Sequence, residues 1–172
     1  RGTDVSVILD LMIHDIDIIL SVVDSPIRRI DASGVAVISK TPDICNARVT
    51  FENGCVANFT ASRISMKKMR KTRFFQKEAY IALDYLTKKV EVVKIKNAPK
   101  QTDDLSILLT NADGDKKQIY FEIPKIDKIN PIQEELEDFA KSINKNKKPT
   151  ISLKDGAYAL KVAHQIIARI NQ

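Results

Sequence analysis

Residues 5–23 (VSVILDLMIHDIDIILSVV) constrain this chain more than any other segment. The run is apolar almost throughout, is long enough for a helix, and stops at the breaker cluster Asp24-Ser25-Pro26. Its β-branched residues would also suit a strand, but the polar positions decide the matter. Asp10, His14, Asp17 and Ser21 fall at i, i+4, i+7 and i+11, one stripe at the helical period. Such a helix is expected to be buried on most sides, with its polar stripe turned to something polar.

After Pro26 the period becomes two, and residues 30–39, 45–51 and 56–64 read as strands. Ala47, Val49 and Phe51 alternate with Asn46, Arg48 and Thr50, so one face is buried and the other wetter. Asn53-Gly54 marks a hairpin. A two-residue loop would set Phe51 opposite Val56 and send Ala57 and Phe59 to the wet face. A three-residue loop, Glu52-Asn53-Gly54 with Gly54 at positive φ, pairs Phe51 with Cys55, Val49 with Ala57 and Ala47 with Phe59. A one-residue slip exchanges the faces, so the three-residue loop is expected. Cys45 then lies roughly 20 Å from Cys55, beyond the reach of a disulfide.

Further along, residues 74–83 and 90–96 read as strands, 97–104 as a loop, 105–109 and 118–123 as strands around a turn at 111–115. Asn130-Pro131 opens a helix over 132–145, with Glu134, Glu135, Glu137 and Asp138 near its positive end. Asp155 is expected to cap a last helix over 156–170, with Ala157, Leu160, Ala163 and Ile167 on its apolar face. The grouping of strands apart from helices predicts an α+β fold. A largely antiparallel open sheet would carry helices on one face, leaving the other available for dimerisation. At 172 residues, one domain suffices.

Composition removes several functions. The five glycines are Gly2, Gly34, Gly54, Gly114 and Gly156, and no two lie closer than 20 positions. That spacing excludes the G-x-G-x-x-G and Walker phosphate loops, so the chain has no ordinary nucleotide cradle of its own. Two cysteines and two histidines make neither a disulfide framework nor a Cys/His metal cluster. No apolar run approaches a membrane span. A net charge of +6 suits an anionic ligand or a solvated lysine face equally. Arg1-Gly2-Thr3-Asp4 has no signal-peptide character and reads as the interior of a larger protein. Unpaired cysteines make a cytoplasmic location the default expectation.

Asp10 and His14 are the first candidate pair. Side chains at i and i+4 stand one above the other about 6 Å apart at Cβ, so both can reach one small ligand. Histidine accepts a hydroxyl proton near neutral pH, and a neighbouring carboxylate can orient a substrate. The alternatives are that the two merely satisfy each other against loop backbone, or hold a metal with Asp17. Arg63, at the end of the hairpin's apolar face, is either a contact for an anionic part of a substrate or an ion-pair partner of Asp43. The run Lys67, Lys68, Arg70, Lys71 and Arg73 suits a diphosphate or plain solvent. It lacks interleaved exposed aromatics, which argues against nucleic acid. His164 sits beside core positions and reads as structural.

Asp10-x-x-x-His14-x-x-Asp17 resembles the D-x-x-x-H-x-x-D signature of the glucose–fructose oxidoreductase/inositol dehydrogenase/rhizopine catabolism (Gfo/Idh/MocA) family. Residues 49–63 (VTFENGCVANFTASR) are similar to that family's central hairpin. Residues 131–139 (PIQEELEDF), Pro149 and residues 155–163 (DGAYALKVA) look like its closing helices. The resemblance implies that residues 1–172 are the C-terminal substrate-binding and dimerisation domain of an NAD- or NADP-dependent oxidoreductase. Its Rossmann cofactor domain, with the partner lysine of an E-K-P motif, would lie outside this chain. The substrate would be a sugar, nucleotide-sugar or cyclitol hydroxyl, and residues 10–18 also look like members acting on UDP-N-acetylglucosamine. Carried over by position, His14 is the acid/base, Asp10 a substrate-binding and orienting carboxylate, and Asp17, counted with the substrate-binding residues, a group that supports those contacts or a structural one. The family often has Gly where Met12 stands, so the pocket beside Asp10 is expected to be tighter. The fragment alone would bind no cofactor and turn nothing over. The rival expectation is a non-catalytic dimerisation module that kept the fold.

Overall fold

The computed structural model describes residues 4–97, 107–110, 112–127 and 129–170, which form two compact units. The first is Arg1–Met66 with Pro131–Gln172, and the second is Lys67–Asn130. The α+β expectation holds, but the strands are divided between two antiparallel sheets rather than gathered in one.

In the first unit, β1 (Ile27–Val35), β2 (Ile44–Phe51) and β3 (Val56–Ser62) form a meander in the order β1-β2-β3. The hairpin has the expected register: Val49 faces Ala57 and Ala47 faces Phe59. Phe51 N–H donates to Cys55 O, and Gly54 takes φ +85°, where a Cβ would cost about 1–2 kcal/mol. Asn53 Oδ1 accepts from Cys55 N–H at 3.0 Å and closes the loop. Cys45 pairs with Ala61, and both thiols are free.

One face of this sheet is the core. Cys45, Ala47, Val49, Phe51, Ala57, Phe59 and Ala61 are buried on it, against Ile8, Met12 and Ile16 of the N-terminal helix and Ala159, Val162, Ala163 and Ile166 of the last helix. Each large side chain among them contributes about 1.5–3 kcal/mol of apolar burial. The opposite face is polar, with Arg48 bonded to Asn58 and Thr60 to Asn46 across the strands.

The N-terminal helix departs from expectation in its first turn. It starts with a π-turn over Ile8–Met12, in which Ile13 N–H reaches back to Ile8 O, and only then continues as α1 (Ile13–Val22). Ile8, Met12 and Ile16 are fully buried, as is Val7 just before them, and Leu9, Leu11, Ile13, Ile19 and Leu20 pack half-buried against the core, while His14 and Ser21 of the polar stripe are exposed. The final helix, α3 (Leu153–Ile170), is capped by Ser152 rather than Asp155. Asp155 Oδ2 accepts from the Ser152 N–H and hydroxyl at 2.8 and 2.7 Å, a reciprocal box closing the first turn. Its buried face is therefore Ala159, Val162, Ala163 and Ile166, while Ala157 and Leu160 point to solvent. Gly34 of β1 lets α3 end against the sheet: a Cβ there would stand 3.0 Å from an Ile170 methyl and 3.1 Å from the Pro42 ring. Between β3 and α3 in the chain, α2 (Pro131–Asn144) belongs to the same unit and buries none of its residues.

The second unit is a five-stranded sheet in the order β4-β5-β6-β8-β7. Its strands are β4 (Lys71–Phe75), β5 (Ala79–Asp84), β6 (Lys89–Asn97), β7 (Ile107–Thr110) and β8 (Lys116–Glu122). The single strand expected over 74–83 is a hairpin, because Gln76 and Ala79 exchange backbone bonds and turn the chain at Lys77-Glu78. Lys71 and Arg73 of the basic run lie in β4. The loop expected over 97–104 falls almost entirely outside the described residues. No described residue of this unit is buried, and Phe75, Phe121 and Ile123 are largely exposed.

Candidate active site

The site grows from the junction where the N-terminal helix meets the open end of the hairpin. Ser6 starts the helix: its carbonyl accepts from Leu9 and Asp10, and Val7 N–H donates to Pro42 O at 3.0 Å. The π-turn then carries Asp10, and the first turn of α1 carries His14. Asp10 thus lies within the wider turn, and such turns cluster at functional sites. His14 is exposed, and Asp17 is half-buried. Asp10 keeps 33% of its side chain exposed while forming an ion pair with Arg63 at 3.7 Å. A carboxylate so placed is held on one side and open to a ligand on the other.

Arg63 makes the ion pair with Asp43 that was one of its two expected roles, at 3.7 Å, and its side chain is only 10% exposed. The same guanidinium reaches Ser39 Oγ at 3.3 Å and donates to the carbonyl of Val5. Asp43 is fully buried. Its Oδ2 accepts from Val37, Ile38 and Ser39 N–H at 2.8, 2.8 and 2.9 Å. The Ser39 hydroxyl foremost, with these amides, holds the Asp43 carboxyl far below the usual carboxylate range, against the opposing pull of burial. Its stabilising effect is thus complete above about pH 4, the unfolded value, and fades as pH falls below that.

The sequence reading names Asp43 only as a partner of Arg63 and misses its anchoring. The available signal was register: Ile44 faces Ser62, so Asp43 and Arg63 stand opposite each other just beyond the last strand pair. The remaining candidates lie elsewhere. Asp10, His14 and Asp17 do not form a metal group, and no cluster of three such ligands occurs among the described residues. His164 is exposed rather than shut in the core. Arg70 lies over the Tyr85 ring at 5.1 Å, so part of the basic run is engaged within its own sheet. Burial pushes the Cys45 thiol up to about 11, which makes it inert at neutral pH. No described helix is long and apolar enough to cross a membrane.

Comparison with known proteins bears directly on this site. Residues 2–81, which contain Asp10, His14, Asp17, Asp43 and Arg63, match the family model of the GFO/IDH/MocA C-terminal domain. The UDP-N-acetylglucosamine 3-dehydrogenase of Acidithiobacillus ferrooxidans is 36% identical over 92 residues, 54% of this chain and 29% of that protein. A solved structure of that enzyme superposes with a TM-score of 0.82 at 26% identity, covering 99% of this chain and 50% of its own. Levoglucosan dehydrogenase, in complex with NADH and L-sorbose, shares the fold at a TM-score of 0.72 and 18% identity, over 96% of this chain and 48% of its own. The chain thus spans about half the length of the solved structures it matches and less than a third of the curated relative.

Proposed function

We propose, from the match of residues 2–81 to the GFO/IDH/MocA C-terminal domain, that this chain is the substrate-binding and acid/base portion of an NAD-dependent sugar dehydrogenase. The observation that carries the reading is an exposed His14 one helical turn from Asp10, whose carboxylate is anchored on one side and open on the other. An imidazole and a half-open carboxylate fit a sugar hydroxyl: His14 takes the hydroxyl proton at a ring nitrogen, and Asp10 accepts a hydrogen bond that orients the sugar. Asp17, half-buried one turn further along the same helix, is assigned to the same substrate side. The nicotinamide, when bound, accepts the hydride. With no glycine-rich cradle here, the dinucleotide is assigned to a Rossmann domain elsewhere in the protein.

The relatives favour a nucleotide sugar, with UDP-N-acetylglucosamine the first to try. The exposed apolar residues of the five-stranded sheet support a homo-oligomer through that sheet. The reading is tested by offering the full-length protein NAD+ or NADP+ with UDP-N-acetylglucosamine and a panel of free sugars and cyclitols. Reduced nicotinamide should appear with a sugar substrate and NAD+, while the isolated chain should bind neither cofactor. Cofactor binding by the isolated chain, or no turnover of any sugar by the full-length protein, would count against it.

A further inference from the structure

We propose that Asp43 is a positioning residue for Asp10. Anchored by the backbone of residues 37–39, it fixes the Arg63 guanidinium, which in turn fixes the carboxylate that meets the substrate. The inference rests on the reading of Asp10 given above.

Asp43 divides its two oxygens between two tasks. Oδ2 is fully engaged by three backbone N–H groups, which sets the carboxylate rigidly without using the arginine. Oδ1 is left facing Arg63 Nη1 at 3.7 Å. The guanidinium's other nitrogen, Nη2, meets Asp10 Oδ2, also at 3.7 Å, and the Val5 carbonyl. The planar fork of arginine suits such a two-sided role, because locking one nitrogen sets the direction of the other.

The backbone reinforces the arrangement. Asp43 N–H donates to Val35 O at 2.9 Å and Arg63 N–H to Asp43 O at 3.0 Å, which ties the ends of all three strands to one point. Exposure falls steadily along the chain of charges, from 33% at Asp10 to 10% at Arg63 and 0% at Asp43. Only the outermost member can meet a ligand. The inner two are shut away from solvent, and the cost of burying Asp43 is offset in part by the ion pair and by the amides on Oδ2. A contact that aims a reacting group is worth far more to rate than to affinity, since about 1 Å of misplacement can cost 10²-fold.

The test is a cycle in the full-length protein: Asp10→Asn, Asp43→Asn and the double variant, assayed well below their melting temperatures. In Asp43→Asn the side-chain carbonyl can still take the loop amides, but its N–H donors then face the guanidinium. The expected result is a fall in kcat of about 10- to 100-fold for Asp43→Asn with KM changed far less. The double variant should be no slower than Asp10→Asn alone, because both changes disable one device. Should Asp43→Asn fail to fold, Arg63→Lys keeps the charge and loses the fork, and should show the same non-additivity with Asp10→Asn. Wild-type kcat in the Asp43 or Arg63 variant overturns the proposal, as do losses that multiply with Asp10→Asn. Wild-type turnover by Asp10→Asn itself removes the reading of Asp10 on which the proposal stands, so the two failures are told apart.

Discussion

The two sheets of this chain use the same antiparallel pairing and differ in what lies against them. The three-stranded sheet has helices on one face, and its buried residues alternate strictly, as in the run Cys45, Ala47, Val49, Phe51. The five-stranded sheet has no buried residue among those described, and β5 is half-buried at every position. A helix-covered face forces a period-two pattern, because one slip would bury polar groups. Without such a cover the pattern blurs. Asp10 and His14 belong to the first kind of unit, where packing can hold side chains to the tolerance that chemistry needs.

Substitutions in the two sheets should separate them. Phe51, 1% exposed in the first unit, should cost about 3–5 kcal/mol as Phe51→Ala, read from denaturant unfolding of the full-length protein. Gly34→Ala comes next, at about 1–3 kcal/mol, since its Cβ would meet both Ile170 and the unyielding Pro42 ring. Ser152→Ala should cost about 1 kcal/mol by opening the reciprocal box at the start of α3. Phe121→Ala, 65% exposed in the five-stranded sheet, should stay within about 0.5 kcal/mol if that face is solvated. A loss above about 1 kcal/mol there would sharpen the contrast in another way, by showing that a further surface covers the sheet in the assembled protein.

The same contrast explains what was legible beforehand. The hairpin register could be read because faces, turn chemistry and the position of Gly54 all pointed to one loop length. The helix over the N-terminal segment could be read from its polar stripe, but not its π-turn: a single wider turn leaves the i, i+4 spacing of Asp10 and His14 untouched in the sequence. The hairpin within 74–83 was hidden because Gln76-Lys77-Glu78 carries no glycine, proline or asparagine to mark the reversal. The buried face of α3 was misjudged because apolar residues occur all around its first turns, so the phase was set by contact with β1 and the N-terminal helix. Arg63 was narrowed to two roles by its place at the hairpin's end, and the structure shows its ion pair with the buried Asp43. Asp43 itself follows a proline in a connecting segment, where a buried acid is the exception.

The most direct test of the account is the turnover of His14→Ala in the full-length protein, measured with the sugar substrate and NAD+ across pH. His14 is exposed, so its loss should leave the melting temperature unchanged. The account predicts a kcat lower by about 10²- to 10⁴-fold at neutral pH. A kcat within about twofold of wild type, on an unchanged pH profile, would contradict it.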